Sequence, residues 1–154
     1  MPGVHAMTDV TGFGLAGHAL EMVRGPAPPA APAPAAPASG AGVGGGLGVR
    51  LAWGDVPLLA GVRELAGEGA VTGASGRNWA SYGGEVRLGR GVGDVGQALL
   101  TDPQTSGGLL VACAPHAAAA VLAVFRAHGF LAAADVGEVV PLPAGGGGAR
   151  LEVE

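Results

Sequence analysis

The sequence of 154 residues predicts a single layered domain of helices and strands, of the α/β or α+β class. Amphipathic segments with helical spacing alternate along the chain with short apolar runs that have the length of strands. Glycine and proline mark the ends of these segments. The length suits one domain and is short for two.

Four helices are predicted, at residues 15–24, 57–66, 95–100 and 117–128. In the first, the apolar side chains share one side, and His18 and Glu21 lie on the opposite, polar side. The second has Asp55 as its predicted cap and Gly67 as its stop. The fourth ends at Gly129, because glycine adopts the left-handed conformation that closes many helices.

Three strands are predicted. Leu109–Cys113 is a continuous apolar run between turn residues, which is typical of a buried strand. Residues 136–140 and 150–153 predict two more strands, joined by a glycine run at 145–148.

Residues 26–48 differ in composition from the rest of the chain. They hold six prolines, six glycines and no charged residue, and they offer little large apolar surface to offset the entropy of ordering them. We expect a disordered insertion within the single domain 1–154. A polyproline segment that binds a partner is the alternative.

The composition excludes several classes of function. The chain has no lysine, so a P-loop of the GxxxxGK[ST] type and a Schiff-base mechanism are impossible. A single cysteine excludes disulfide frameworks. The net charge of −4 argues against non-specific nucleic-acid binding. No apolar run is long enough for a membrane span and no signal peptide is evident, so we expect a cytoplasmic protein.

The densest motif is at residues 8–18, which read Thr-Asp-Val-Thr-Gly-Phe-Gly-Leu-Ala-Gly-His. Its glycines satisfy GxGxxG, but a dinucleotide site also needs a preceding hydrophobic strand and an acidic residue about 20 positions later. Between Glu21 and Asp55 there is no acidic residue. The dinucleotide interpretation is therefore rejected.

The same motif fits a magnesium-bridged phosphate site. Asp9 lies in a predicted loop before a helix whose free N–H groups favour an anion. Mg²⁺ commonly takes one or two carboxylates and leaves its other positions to phosphates and water. Thr11, Gly12 and Gly14 would lie beside the phosphates, because glycine lets the backbone approach closely. In the structural alternative, Asp9 forms a turn or caps the helix and the glycines permit tight packing.

Two further polar clusters could contribute to a site. Residues 102–108, Asp-Pro-Gln-Thr-Ser-Gly-Gly, form a predicted loop that could contact a ligand or the Asp9 loop. Ser106 has no histidine or lysine nearby in sequence, so a structural, hydrogen-bonded loop is favoured over a serine nucleophile. In residues 73–78, Arg77 offers a single guanidinium for a phosphate.

The histidines and the cysteine give no strong signal. The spacing of the four histidines does not indicate a metal site. His18 could contact a ligand, but a solvated position on the helix face is the commoner outcome. Cys113 is expected to be a small buried hydrophobic residue rather than a nucleophile.

The motifs together resemble the C-terminal domain of selenophosphate synthetases (selenide, water dikinases). The resemblance begins with residues 8–18 and the Leu-Glu-Met that follows at 20–22. It continues in order through residues 56–59, 73–78, 99–110 and 136–139. It covers essentially the whole chain except residues 26–48.

This resemblance implies a mixed β-sheet layered with helices, as in AIR-synthetase C-terminal domains. The family makes selenophosphate from selenide, ATP and water, releases AMP and phosphate, and uses Mg²⁺. The aspartate of its Thr-Asp-Val-Thr-Gly loop is a magnesium ligand, which assigns that role to Asp9. The family also implies a homodimer and a partner N-terminal domain.

The departures from the family concern that N-terminal domain. It supplies the reactive cysteine or selenocysteine, a lysine, a glycine-rich segment and further metal-binding aspartates. This sequence has no lysine, and Cys113 lies in a different context. We therefore expect the isolated chain to be inactive. The alternatives are a non-catalytic remnant, a binding or dimerisation module, and a ligand-binding relative in purine or thiamine metabolism.

Overall fold

The computed structural model describes residues 1–24, 46–143 and 149–154. These residues form six strands and five helices. In chain order the elements are β1 (Val4–Asp9), α1 (Gly14–Arg24), β2 (Leu47–Leu51), α2 (Val62–Gly67), α3 (Gly73–Tyr82), β3 (Val86–Leu88), α4 (Gly93–Leu100), β4 (Leu109–Cys113), α5 (Ala118–Ala127), β5 (Gly137–Pro141) and β6 (Leu151–Val153). None of these helices is both long and apolar enough to cross a membrane.

The strands form two sheets. Four of them make a mixed sheet in the order β3-β6-β2-β5, in which β6 runs parallel to both β3 and β2 and β5 runs antiparallel to β2. Strands β1 and β4 pair antiparallel in a separate two-stranded ribbon. The mixed sheet and the helices packed against it confirm the predicted fold class.

The core lies between α1 and the mixed sheet. Leu20 of α1 is fully buried, as are Leu51 on β2 and Leu151 on β6. Each such leucine stabilises the fold by about 1.5–3 kcal/mol relative to an exposed side chain. This packing fixes the position of α1 on the sheet. It therefore also fixes the position of Gly14, the first residue of α1, which belongs to the motif at residues 8–18.

Three of the four predicted helices occur within two residues of their predicted bounds. The helix predicted at 57–66 is wrong at its start, because α2 begins only at Val62. Gly61 precedes it with a φ of 81°, a left-handed conformation that interrupts any helix arriving from Pro57. Asp55 lies in a short 3-10 turn rather than at the cap of α2. At Gly129 the φ of 90° confirms the predicted end of α5.

The predicted strands also occur, with one error about burial. β4 is not buried: Leu109 is 51% exposed and the other residues of the strand are half-buried. The reason is that β4 pairs only with β1, in a two-stranded ribbon separate from the main sheet, and of its residues only Leu110 packs against the core. β5 and β6 are not neighbours, since β2 lies between them. The glycine run predicted to join them, at 145–148, is outside the described residues.

The predicted insertion at 26–48 is outside the described residues up to position 45, so only its end can be compared. There the prediction is wrong, because Leu47 and Gly48 begin β2. A Cβ at Gly48 would lie 2.8 Å from a methyl carbon of Leu142 and 2.9 Å from the carbonyl oxygen of Arg150. Glycine at this position therefore reflects close strand packing rather than a flexible linker.

Sequence patterns do not indicate four of the elements: β1, β2, β3 and α3. β1 alternates between half-buried and exposed residues but carries few large apolar side chains. The buried residues of α3 are Ser75 and Tyr82, so the helix has no apolar stripe that hydrophobic periodicity could detect.

Candidate functional site

The first two sequence motifs lie against one another. Asp9 is the last residue of β1, not a loop residue as predicted, and it pairs in register with Leu109 of β4. The pairing continues beyond the strands, since the Val10 N–H donates to the Gly108 carbonyl at 2.9 Å. The Gln104 N–H then donates to the Thr11 carbonyl at 3.0 Å. Of the two contacts considered for residues 102–108, with a ligand or with the Asp9 loop, the structure shows the second.

The absence of a side chain at Gly107 allows the two loops to approach each other closely. A Cβ at Gly107 would lie 2.0 Å from the Val10 carbonyl oxygen, a distance that no side chain could occupy. A Cβ at Gly108 would meet nothing within 4 Å. Only the first glycine of the pair is therefore required by the contact between the loops.

A tight turn connects β1 to α1. The Gly14 N–H donates to the Thr11 carbonyl at 3.1 Å, and Gly14 has a φ of 70°. A Cβ there would lie 2.7 Å from the Leu100 carbonyl oxygen and 2.7 Å from the Thr101 carbonyl carbon. Gly12 is exposed and its Cβ position is open. Only Gly14 is therefore required to be glycine by the backbone conformation and packing of the turn, whereas Gly12 is not.

His18 is buried, so the predicted solvated position for it is wrong. The residue is 6% exposed, and its ring lies 5.9 Å from the Phe13 ring, centroid to centroid. His18 Nε2 lies 3.1 Å from Thr11 Oγ1, within hydrogen-bond distance. His18 Nδ1 lies 2.9 Å from Glu21 Oε2, although it makes no well-aligned hydrogen bond in the described part of the chain. Helix α1 therefore holds the Thr11 side chain through His18.

The third motif also reaches the site, but through Asn78 rather than Arg77. The Asn78 side-chain amide donates to the Gly12 carbonyl and to the Thr101 carbonyl, each at 2.9 Å. Arg77 is exposed and takes part in none of the ion pairs formed among the described residues. One signal could have indicated Asn78, which is the only asparagine of the chain.

Tyr82, at the end of α3, completes the support of the turn. Its hydroxyl donates to the Phe13 carbonyl at 2.5 Å. Its ring packs on Gly17, where a Cβ would lie 3.1 Å from the nearest ring carbon. Burial raises the pKa of Tyr82 to about 12, and a hydrogen bond from the Gly17 backbone opposes that rise only partly. The hydroxyl therefore stays protonated, and stays a donor, at neutral pH.

The charge around this turn is sparse. Asp9 is exposed and belongs to none of the ion pairs formed within residues 1–24, 46–143 and 149–154. No acidic residue occupies the first turn of α1, so the positive end of its dipole is not neutralised by its own sequence. Nor do three or more His, Cys, Asp or Glu side chains anywhere in the described residues form a group that could hold a metal ion.

The remaining sequence candidates lie outside this arrangement or have a structural role. Cys113 is a free thiol at the end of β4 and is half-buried, less than predicted. His128 uses its Nδ1 on the Val124 carbonyl at 2.9 Å, which closes α5. Ser106 is exposed, and within the described residues it has no hydrogen-bonded histidine that would make it a nucleophile.

Comparison with known proteins places the chain in a family. Residues 43–148 match the family model "AIR synthase related protein, C-terminal domain". The chain belongs to this family. The match begins after the Asp9 loop, so the family model by itself does not cover the first motif.

Individual relatives extend the likeness to that motif, and each is named "Selenide, water dikinase". The protein of Burkholderia pseudomallei (strain K96243) is 54% identical over 153 residues, which cover 99% of this chain and 36% of the relative. That of Dechloromonas aromatica (strain RCB) is 47% identical over 139 residues, 90% of this chain and 34% of the relative. That of Rhizobium meliloti (strain 1021) is 43% identical over 152 residues, 99% of this chain and 37% of the relative.

These relatives confirm the resemblance predicted from the motifs. They also show its extent, because the chain spans about a third of the length of the curated proteins it matches. The other two thirds of those proteins have no counterpart in the matched region.

Proposed function

We propose that this chain acts as the C-terminal domain of a selenide, water dikinase. In that role it contributes to forming selenophosphate from selenide, ATP and water, with release of AMP and phosphate. The observation that carries the proposal is the 54% identity to the Burkholderia pseudomallei selenide, water dikinase over 99% of this chain. Because this alignment covers 99% of the chain, it includes the Asp9 motif, which the match to the family model at residues 43–148 leaves out.

In this proposal the turn between β1 and α1 faces the phosphates of ATP. Thr11, Gly12 and Gly14 form the turn, and the N-terminus of α1 supplies a positive dipole end beside it. The open Cβ position at Gly12 supports a close approach of a ligand to the backbone there. Gly14 contributes indirectly, by letting the turn pack on the end of α4.

Asp9 is the proposed magnesium ligand. A carboxylate oxygen is a hard ligand of the kind that Mg²⁺ prefers, and Asp9 is exposed at the end of β1. It fits as one ligand of a shared site, since the described residues hold no group of three or more metal-binding side chains. When bound, Mg²⁺ neutralises phosphate charge, and the chain's own part is to hold one carboxylate at the rim of the turn.

The missing catalytic groups are proposed to come from a separate N-terminal domain of the same enzyme. The chain has no lysine, and its only thiol, Cys113, lies on the ribbon strand β4 rather than in the turn. By itself the chain would then bind ATP and selenide only weakly. It would also lack the groups that convert them to products. A homodimer of the full enzyme and a cytoplasmic location belong to the same proposal.

A chimeric enzyme tests this function. The chain replaces its matching segment in the Burkholderia pseudomallei relative, and selenophosphate and AMP are followed by ³¹P NMR and chromatography. We expect the chimera to be active and the isolated chain to release no selenide-dependent AMP. Asp9→Asn in the chimera should lower activity by about 100-fold, the scale on which metal sites lose function when their ligand environment is damaged.

The matched control is Asp55→Asn, which removes a different exposed carboxylate and should leave activity unchanged. A folded chimera without activity would contradict the proposal and favour a non-catalytic binding or dimerisation module. An active Asp9→Asn chimera would remove Asp9 from the metal site while leaving the family function standing.

A further inference from the structure

One face of α3 carries a row of hydrogen-bonding side chains in place of an apolar stripe. Thr72, Ser75, Asn78 and Tyr82 follow one another at intervals of three, three and four residues, which places them on the same side of the helix. Each of them contacts a residue far away in the sequence. Helix α3 therefore docks through polar groups, and those groups determine what it holds in place.

The first two side chains of the row hold the end of α4 and the loop after it. Thr72 Oγ1 donates to Asp102 Oδ1 at 2.9 Å while it caps α3 by accepting from the Ser75 N–H at 3.2 Å. Ser75 Oγ lies 2.6 Å from Thr101 Oγ1, and both hydroxyls are buried. This end of α3 is fixed to the loop that begins at Asp102.

The last side chain of the row holds the other loop. Tyr82 donates to the Phe13 carbonyl and makes no hydrogen bond to the loop that begins at Asp102. Asn78 is thus the one member of the row that bonds both to the turn and to the end of α4, since its amide reaches the carbonyl of Gly12 and that of Thr101, the residue just before the second loop. Both acceptors are carbonyl oxygens, so the NH₂ group of the Asn78 side chain must be the end that faces them.

The bond to Gly12 also orients a peptide group. In a trans peptide the C=O and the following N–H point in opposite directions, and the described residues contain no cis peptide. Because the Gly12 carbonyl points toward α3, the Phe13 N–H points away from α3. That N–H makes no hydrogen bond within the described part of the chain.

We propose that Asn78 is a positioning residue for the turn that follows Asp9. By holding the Gly12 carbonyl it keeps the Gly12–Phe13 peptide in one orientation, with the Phe13 N–H on the side where a phosphate oxygen would be bound. By holding the Thr101 carbonyl it fixes the turn relative to the loop at Asp102. The phosphate in this inference rests on the proposed function, whereas the positioning of the turn does not.

Glycine at position 12 makes such a device necessary. A peptide next to an exposed glycine reorients easily, because glycine has no Cβ to restrict φ and ψ. The Cβ position of Gly12 is open, so packing around it does not select one orientation either. Hydrogen bonds to the carbonyls of Gly12 and Phe13 are what select it.

Hydrogen exchange measured by NMR on the full ¹⁵N-labelled chain, without metal or nucleotide, tests the positioning. The amides of Gly14 and Gln104 report on the turn, because both donate to the Thr11 carbonyl. The amide of Val49, which donates to Arg150 in the main sheet, reports on global stability. Asn78→Ala should speed exchange at Gly14 and Gln104 by about 10- to 30-fold more than at Val49.

Ala80→Gly is the matched control, since it weakens the same helix at an exposed position without touching either loop. It should change the reporters together, by the same factor. Asn78→Asp keeps the shape of the side chain, removes both donors and places a negative charge against two carbonyls, so it should shift the Phe13 amide resonance as well as speed exchange. Equal acceleration at all three reporters in Asn78→Ala, or none, would overturn the proposal.

These outcomes separate the positioning from the proposed function. Selective acceleration together with an inactive chimera would keep Asn78 as the positioning residue and reject the dikinase role. An active chimera together with equal acceleration of exchange at all three amides would keep the dikinase role and reject Asn78 as the positioning residue.

Discussion

The two glycines of the turn give the most direct test of how this site is built. Gly14→Ala places a methyl group where the structure has backbone on two sides, and Gly12→Ala places the same methyl group in open space. The sequence treats the two positions alike, since both lie in the Thr-Gly-Phe-Gly motif. The structure predicts opposite outcomes.

The magnitude for Gly14→Ala has two parts. Its φ of 70° is left-handed, a conformation that costs alanine about 1–2 kcal/mol. The new Cβ would lie 2.7 Å from the Leu100 carbonyl oxygen, which forces the turn away from α4 at a cost of about 1–3 kcal/mol. Alanine also reduces the conformational entropy of the unfolded chain, which stabilises the folded state by about 0.4–1 kcal/mol. We therefore expect the free energy of unfolding to fall by about 2–4 kcal/mol.

Urea denaturation followed by circular dichroism measures both variants. Gly12→Ala should leave the free energy of unfolding within about 1 kcal/mol of the parent, or raise it slightly, because its φ is not left-handed and its surroundings are open. Equal m-values would show that the compactness of the two end states is unchanged. A loss below 1 kcal/mol for Gly14→Ala, or a similar loss for both variants, would refute this account of the turn.

Two further predictions follow from the same structure. Gly107→Ala should destabilise the chain by about 2–3 kcal/mol in thermal unfolding, because its Cβ would lie 2.0 Å from the Val10 carbonyl oxygen and would break the hydrogen bonds between the loops. Gly108→Ala should leave the stability nearly unchanged, because its Cβ position is open. Similar losses of stability for the two variants would contradict this role of Gly107. Tyr82, the only tyrosine, should ionise with a midpoint near pH 12 in the folded chain and near pH 10 in urea, as read by absorbance at 295 nm. Since the unfolded chain loses that proton first, stability should fall between pH 10 and 12, and Tyr82→Phe should abolish this dependence.

Sequence patterns were reliable where a structure depends on neighbouring residues. The helix at 15–24 was predicted to within one residue, because its apolar spacing is local and α1 packs on the sheet through that spacing. The close of α5 at Gly129 was predicted for the same reason, since a left-handed glycine is a local requirement. Strand β4 was predicted in position but not in burial, which depends on whether another sheet covers it.

The site was predicted in its parts but not as an arrangement. The motif with Asp9 and the loop at 102–108 were both identified, and a contact between them was one of two alternatives left open. The roles of Asn78 and His18 were missed. Asn78 bonds to Gly12 across 66 positions of sequence, and its neighbours in the chain give no sign of that partner. His18 was assigned to the polar side of its helix, yet that side faces the turn and is covered by it.

The sequence by itself determined the fold class, the resemblance to the selenide, water dikinases and the motifs that carry it, because residue identity and local spacing are sufficient for these. Only the tertiary structure decided which glycine of each pair is required, that α3 exists as a polar support, and that Asn78 joins the two loops. Those features depend on hydrogen bonds and close contacts between segments far apart in the chain. Such contacts form only when the core between α1 and the mixed sheet brings the segments together.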